Sequence, residues 1–141
     1  MTVQPVDILL IEDNQDDIEL TREALTLGKV VNTLTVVRDG QEALRYLFGN
    51  GSTPEKIPGL ILLDLRLPGV DGIEVLKRIK QEPILRRVPV VVLTTSKDET
   101  DVLKAYGLHA NCYVVKPVDF EKFVEVVKCI ENFWFSVVTL P

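Results

Sequence analysis

The sequence predicts an α/β protein whose sheet is parallel and covered by helices on both faces. Five short apolar runs alternate with helical patterns, which is the order of βαβ units. The runs are nearly continuous rather than alternating in polarity, as in strands that are buried on both faces. Four of the five runs end on a polar side chain, so one edge of the sheet should be polar.

The strands are predicted from short runs of mostly apolar residues. These runs cover residues 6–11, 33–37, 60–64, 88–93 and 112–115. The second run is rich in β-branched residues, which favour strands. Each of the other four ends at, or is followed by, an acidic, hydroxyl or lysine side chain.

The helices are predicted from residues that cap an N-terminus, each followed by apolar residues at helical spacing. They should run from near Gln15 to Gly28, from Gly40 through Phe48, from about Asp71 to before Pro83, from Asp98 or Thr100 through Leu108, and from Asp119 to about Phe135. Asp16 and Asp17 are interpreted as acids that favour the positive N-terminal end of the first helix, not as ligands.

The composition indicates one domain, residues 1–141, with an ordinary hydrophobic content of 46%. The formal net charge of −5 argues against a nucleic-acid surface. No apolar run approaches the roughly 18 residues of a membrane span. The N-terminus lacks the pattern of a signal peptide, and two cysteines are too few for a disulfide framework. We therefore expect a cytoplasmic location and no membrane partner.

The polar strand ends are expected to meet at one edge of the sheet. A doubly wound fold with five parallel strands can adopt the flavodoxin-like order 2-1-3-4-5. In that order the first and third strands are neighbours, and the fourth and fifth lie beyond the third. The side chains that would converge there are Glu12, Asp13, Asp64, Thr94 and Lys116.

Carboxylates that lie close together repel one another, so we expect a cation among them. Hard oxygen ligands with an incomplete shell suit Mg²⁺, which keeps several waters. Lys116 would add a mobile positive charge and Thr94 a hydroxyl donor. Together with the carboxylate of Asp64, these groups form an apparatus for transferring a phosphoryl group to that carboxylate.

This set of residues resembles the two-component response-regulator receiver domain, over essentially the whole chain. The resemblance implies that Asp64 accepts a phosphoryl group from a histidine of a sensor kinase. It implies that Mg²⁺ is bound directly by Asp13, and by Glu12 through water. Asp64 itself and the backbone carbonyl of Arg66 would complete the protein ligands. Glu12 departs from the aspartate that many members carry at its position.

The same resemblance implies roles for residues beyond the acidic set. Thr94 would donate a hydrogen bond to the phosphoryl group, and Lys116 would pair with it. Thr94 and Tyr113 would form the switch that follows phosphorylation. The Lys116–Pro117 peptide resembles the family's cis peptide, a form that only an X-Pro bond adopts readily. The domain would catalyse only its own phosphorylation and dephosphorylation, so we do not expect a conventional enzyme.

A narrower resemblance is to the small single-domain regulators that partner phytochrome-type histidine kinases. It rests on residues 93–96, Tyr106, 111–113, the C-terminal 133–141 and the long loop at 49–58. The partner that it implies is a phytochrome-type sensor kinase. Residues 108–111 depart from the wider family, because they replace the glycine-containing turn usual before the fifth strand.

The C-terminal helix and tail, about 119–141, carry two apolar stripes. One stripe is enough to cover the sheet, and the second contains Val126, Cys129, Phe133 and Val137. A helix that is apolar on two faces is buried on more than one side. With the aromatic Trp134, this pattern predicts a homodimer interface. The alternative is that the tail folds back over its own domain.

Two other functions of related folds are alternatives to the phospho-acceptor switch. A phosphatase of the haloacid-dehalogenase type needs an acid two residues after its nucleophile, where this chain has Arg66. A flavin-binding carrier needs a loop of glycine and hydroxyl residues after the first strand to cradle phosphate. Residues 12–17 are mostly acidic and would repel that phosphate. Both alternatives are therefore disfavoured.

Overall fold

The computed structural model describes residues 5–27, 31–51, 53–94, 103–104, 107–116 and 121–122. Its centre is a parallel sheet of five strands in the order β2-β1-β3-β4-β5. The strands are β1 (Val6–Ile11), β2 (Asn32–Val37), β3 (Leu60–Asp64), β4 (Val90–Thr94) and β5 (Cys112–Val115). The predicted flavodoxin-like strand order is confirmed.

Three helices are described from end to end. They are α1 (Gln15–Leu27), α2 (Gly40–Phe48) and α3 (Gly72–Gln81). Each follows a side chain whose oxygen accepts a hydrogen bond from an amide of the first turn. These caps are Asn14, Asp39 and Asp71, with donor–acceptor distances of 3.0, 2.7 and 2.7 Å. The three helices therefore begin close to the positions that the sequence predicts, near Gln15, at Gly40 and at about Asp71.

The remaining two predicted helices are described only in part. Residues 103–104 and 121–122 are helical. The rest of the C-terminal segment, 123–141, lies outside the described residues. The candidates for a dimer interface lie in that segment: Val126, Cys129, Phe133, Trp134 and Val137. Across the described ranges, no helix has the length and apolar character that crossing a membrane requires.

The sheet is buried on both faces, which explains why its strands are continuously apolar. Alternate residues of β1, β3 and β4 enter two separate clusters of buried side chains. One cluster contains Leu9, Leu63 and Val92 and packs against α2 and α3. The other contains Leu10 and Leu62 and packs against α1. Helices on both faces are the usual arrangement around a parallel sheet.

The start of β4 differs from the predicted position. The strand begins at Val90 rather than at Val88, because a short 3₁₀ helix (Leu85–Arg87) occupies the chain just before it. The amide of Val88 is hydrogen-bonded back to the Leu85 carbonyl at 3.0 Å. The carboxylate of Glu82 accepts hydrogen bonds from the amides of the first turn of this helix.

The turn before β5 also differs from the prediction, which placed Leu108 in a helix. Gly107 has a φ of 69°, and the amide of Leu108 turns back to the carbonyl of Leu103 at 2.9 Å. This arrangement ends a helix, so Leu108 lies beyond it. Asn111 then exchanges two hydrogen bonds with the backbone of Val90, at 2.8 and 3.0 Å. These bonds join the turn to the start of β4.

Candidate functional site

Asp64 is the last residue of the central strand, β3, and its side chain is buried. Its Oδ1 accepts a hydrogen bond from the amide of Arg66 at 3.0 Å. Its Oδ2 lies 3.0 Å from Nζ of Lys116. The carboxylate is thus held at the carboxyl-terminal edge of the sheet, where ligands of open α/β sheets bind.

Two more carboxylates follow β1, the strand beside β3. Oxygen atoms of Glu12, Asp13 and Asp64 lie within 4.8 Å of one another. Glu12 and Asp64 are buried, whereas Asp13 is exposed to solvent. Three carboxylates with one side open to water match the ligands that Mg²⁺ prefers, since that ion keeps several of its waters. The cluster could therefore hold a divalent cation.

The orientation of Glu12 also fits a metal site. Its Oε2 accepts a hydrogen bond from the amide of Asn14 at 3.2 Å. Its buried Oε1 lies 2.6 Å from Nζ of Lys116, which compensates its charge. Buried charges in proteins are paired with an opposite charge or coordinate a metal. A bound cation could therefore take the place of the ammonium at this oxygen.

Lys116 is the cation that the structure places in the site. It follows β5, and its amide donates to the carbonyl of Thr94 at 2.9 Å, which fixes its backbone beside β4. Its Nζ lies 2.6 Å from Glu12, 3.0 Å from Asp17 and 3.0 Å from Asp64. One ammonium group therefore balances part of the charge of three carboxylates.

The close packing of these charges changes their protonation. Burial, together with the neighbouring carboxylate of Asp64, raises the pKa of Glu12 to about 7, and Lys116 only partly offsets this. Burial alone would lower the pKa of Lys116, but hydrogen bonds with the carboxylates of Glu12, Asp64 and Asp17 raise it above the ordinary value. At neutral pH the ammonium is fully charged, while Glu12 is close to its midpoint.

The backbone between Asp64 and α3 is packed so closely that one position must be glycine. The amide of Gly72 donates to the carbonyl of Leu65 at 3.2 Å. A Cβ on Gly72 would lie 2.5 Å from the carbonyl oxygen of Asp64 and 2.6 Å from Cα of Leu65. Neither backbone atom can yield without moving the acidic residue. The start of α3 therefore helps to set the position of Asp64.

The loop after β1 is braced from the neighbouring strand end. Arg38, which follows β2, donates from Nη2 to the carbonyl of Asp13 at 3.2 Å and from Nη1 to Oε1 of Gln15 at 2.7 Å. These bonds tie the acidic loop to the sheet. The sequence interpretation assigned no polar residue to the end of the second strand and so overlooked Arg38, although it directly follows Val37.

Thr94 and Tyr113 lie on the two strands beyond Asp64. Thr94 ends β4 and is buried. Tyr113 lies within β5 and is half-buried, and its hydroxyl accepts a hydrogen bond from the amide of Ala110 at 3.1 Å. Ala110 precedes β5 whereas Lys116 follows it, so the hydroxyl lies towards the end of the strand remote from the acidic cluster.

The structure brings the predicted acidic residues and the lysine together and adds one residue to them. Glu12, Asp13, Asp64 and Lys116 meet at one edge, whereas Pro117 lies outside the described residues. Asp17 is the addition. Its place in the first turn of the helix that follows the acidic loop was the available signal.

The fold and the site define a phosphoryl-accepting signalling domain of the receiver type. A profile of the response regulator receiver domain matches residues 8–128. The chain belongs to the response regulator receiver domain family. It is thus a receiver domain of a two-component response regulator, which works with a histidine kinase and accepts a phosphoryl group with the help of Mg²⁺.

Several individual relatives resemble the chain over nearly its whole length. Response regulator Rcp1 of Synechocystis sp. is 46% identical over 97% of this chain and 94% of its own. The bacteriophytochrome response regulator RtBRR superposes with a TM-score of 0.82 at 47% identity, over 93% of this chain and 81% of its own. The phosphorylated cyanobacterial phytochrome response regulator RcpA superposes with a TM-score of 0.74 at 47% identity, over 98% of this chain and 99% of its own. The Mn²⁺-bound form of Rcp1 superposes with a TM-score of 0.73 at 45% identity, over 97% of this chain and 99% of its own.

Proposed function

We propose that Asp64 is the residue that receives the phosphoryl group from a phosphohistidine of the sensor kinase. A carboxylate oxygen of Asp64 would form a bond to phosphorus while the bond from phosphorus to the histidine nitrogen breaks. The leaving imidazole takes up a proton. The observation that carries the proposal is the position of Asp64, buried at the sheet edge between an ammonium group and two further carboxylates.

The surrounding groups have separate roles in this proposal. Glu12, Asp13, Asp64 and the backbone carbonyl of Arg66 would hold Mg²⁺, which neutralises charge on the phosphoryl oxygens. Lys116 moves from its carboxylate partners to a phosphoryl oxygen. Thr94, at the end of the adjacent strand, donates a hydrogen bond from its hydroxyl to another phosphoryl oxygen. The metal-bound state of Rcp1 supports this use of the acidic cluster.

We propose a phytochrome-type histidine kinase as the partner that supplies the phosphoryl group. The relatives RtBRR and RcpA are named as regulators of bacteriophytochrome or cyanobacterial phytochrome, and each covers more than nine-tenths of this chain at 47% identity. The signal would leave through a change at Thr94 and Tyr113. Phosphorylation would shift an existing equilibrium between two arrangements of these side chains.

Phosphotransfer tests the assignment of Asp64. In the presence of Mg²⁺, the wild type should take up phosphate from a phosphorylated phytochrome-type kinase and from acetyl phosphate, and Asp64→Asn should take up none. Asp7→Asn is the matched control, because Asp7 is an exposed acid of β1, outside the acidic cluster. Equal labelling of the wild type and Asp64→Asn would refute the assignment.

We also propose that the chain forms a homodimer in the cytoplasm through its C-terminal segment. The double apolar stripe of residues 119–141 supports the dimer. Two cysteines are too few for a disulfide framework, which suits a reducing compartment. Replacing Phe133 and Trp134 by serine should shift the sedimenting mass to that of a monomer. Ile84→Ser, at an exposed apolar residue outside the C-terminal segment, should leave the mass unchanged.

A further inference from the structure

Asp17 is the one carboxylate of the site that the phosphoryl-transfer chemistry leaves without a role. It lies in the first turn of α1, and its Oδ2 is 3.0 Å from Nζ of Lys116. Both side chains are largely shielded from solvent, with 18% of Asp17 and 14% of Lys116 exposed. Asp17 is not part of the acidic cluster that could hold a cation. Its contact with the site is therefore through the lysine.

We propose that Asp17 is a positioning residue that holds the ammonium of Lys116 on the α1 side of the site, favouring metal binding and opposing the phosphoryl group. The proposal rests on the phosphoryl-accepting function proposed above. It concerns the balance between two ligands of the same site, not the identity of the acceptor.

The metal half of the proposal follows from competition for two carboxylates. Lys116 contacts Glu12 and Asp64, which are also the buried members of the acidic cluster. A cation entering that cluster must displace the ammonium from them. Asp17 offers the displaced ammonium another partner at hydrogen-bonding distance, and its own negative charge also attracts a cation. Removing Asp17 should therefore weaken metal binding.

The expected effect of Asp17 on the phosphoryl group follows from the same contact, but it lowers the affinity instead of raising it. A phosphoryl group on Asp64 needs the ammonium of Lys116 as a counter-charge. While Asp17 accepts a hydrogen bond from that ammonium, it competes with the phosphoryl oxygens, and its charge repels them. Removing Asp17 releases the lysine and should strengthen binding of a phosphoryl group. A residue that merely supported the fold would change both affinities in the same direction.

Calorimetric titration with two probes measures the two halves separately. The first probe is Mg²⁺ alone, and the second is beryllofluoride at saturating Mg²⁺. For Asp17→Asn, we expect Mg²⁺ to bind about three- to tenfold more weakly and beryllofluoride about three- to tenfold more tightly than in the wild type. Asp17→Glu keeps the charge and should restore both affinities towards their wild-type values.

Asp16→Asn is the matched control. Asp16 carries the same charge in the same helical turn, but it is exposed and forms no ion pair among the described residues. It should leave both affinities within about twofold of the wild type. Weaker binding of both probes by Asp17→Asn, or changes no larger than those of Asp16→Asn, would overturn the proposal. Failure of the wild type to bind beryllofluoride would instead count against the phosphoryl-accepting function.

Discussion

Nζ of Lys116 lies 3.0 Å from Oδ2 of Asp64, although 52 residues separate the two in the chain. Strand β4 lies between the strands that carry them. The lysine side chain therefore reaches across the end of β4 to the central strand. Because it also contacts Glu12, two buried carboxylates depend on the same ammonium group.

Removing that ammonium should destabilise the metal-free protein. For Lys116→Ala, we expect the free energy of unfolding to fall by about 2–3 kcal/mol, since two buried carboxylates lose their counter-charge. Urea unfolding with EDTA present measures the change. Lys104→Ala, at an exposed lysine outside the site, should change the same quantity by less than about 0.5 kcal/mol.

The same variant should gain more from Mg²⁺ than the wild type does. A bound cation stabilises the folded state by an amount that increases with its affinity for that state. In Lys116→Ala the cation no longer has to displace an ammonium and becomes the main counter-charge of the cluster. The increase in unfolding free energy between EDTA and saturating Mg²⁺ should be larger for the variant. An equal increase in both proteins would contradict the interpretation of Lys116 as a competitor.

Glu12 should make stability depend on pH in the metal-free protein. Its pKa is about 7 in the folded protein, against 4.5 as the ordinary value for glutamate. Between these two values the folded state binds more protons than the unfolded state, so stability must fall as the pH rises from about 4.5 to about 7. The contribution should level off about one pH unit above the folded-state pKa.

The contribution of Glu12 can be isolated with a variant that does not titrate. In Glu12→Gln the downward slope between about pH 4.5 and 7 should be absent, because glutamine does not titrate. Urea unfolding of both proteins in EDTA, at intervals of one pH unit, gives the difference. If the two pH profiles run parallel, the raised pKa of Glu12 is wrong.

Gly72→Ala should destabilise the protein, although alanine usually favours a helix over glycine. The added methyl group would meet the backbone of Asp64 and Leu65 at 2.5–2.8 Å. We expect a loss of about 1–3 kcal/mol in unfolding free energy, and slower phosphorylation because Asp64 must shift. Gly51→Ala is the control, because a Cβ there meets nothing closer than 4.0 Å. A stabilised Gly72→Ala would refute the close packing.

The sheet and the acidic cluster could be predicted because both are encoded by short, local patterns. Continuous apolar runs identify strands that are covered on both faces, and parallel strands present their final residues at one edge. Glu12 and Asp13 follow β1 and Asp64 ends β3, so their meeting needs only the strand order. The alternation of strands and helices indicates a parallel sheet, and the flavodoxin-like order is a common order for five such strands.

Features that depend on how one side chain reaches another could not be predicted in this way. Asp17 has the expected character of an acid in the first turn of a helix, and only the extended reach of Lys116 makes it part of the site. The start of β4 depends on Glu82, whose carboxylate accepts two amide hydrogen bonds at the start of the 3₁₀ helix before the strand. Neither contact leaves a periodic pattern in the sequence.

Tyr113→Phe should loosen the turn before β5 and favour the phosphorylated arrangement. The hydroxyl of Tyr113 accepts the amide hydrogen of Ala110, so its loss should cost about 0.5–1.5 kcal/mol in the unphosphorylated protein. Exchange of the Ala110 amide, followed by NMR, should become faster.

If Tyr113 leaves this amide on phosphorylation, the variant loses the bond only in the inactive state and should bind beryllofluoride more tightly. Tyr46→Phe, at a half-buried tyrosine of α2, should change neither the exchange rate of the Ala110 amide nor the affinity for beryllofluoride. If the exchange rate of the Ala110 amide is unchanged in Tyr113→Phe, this hydrogen bond has no part in the switch.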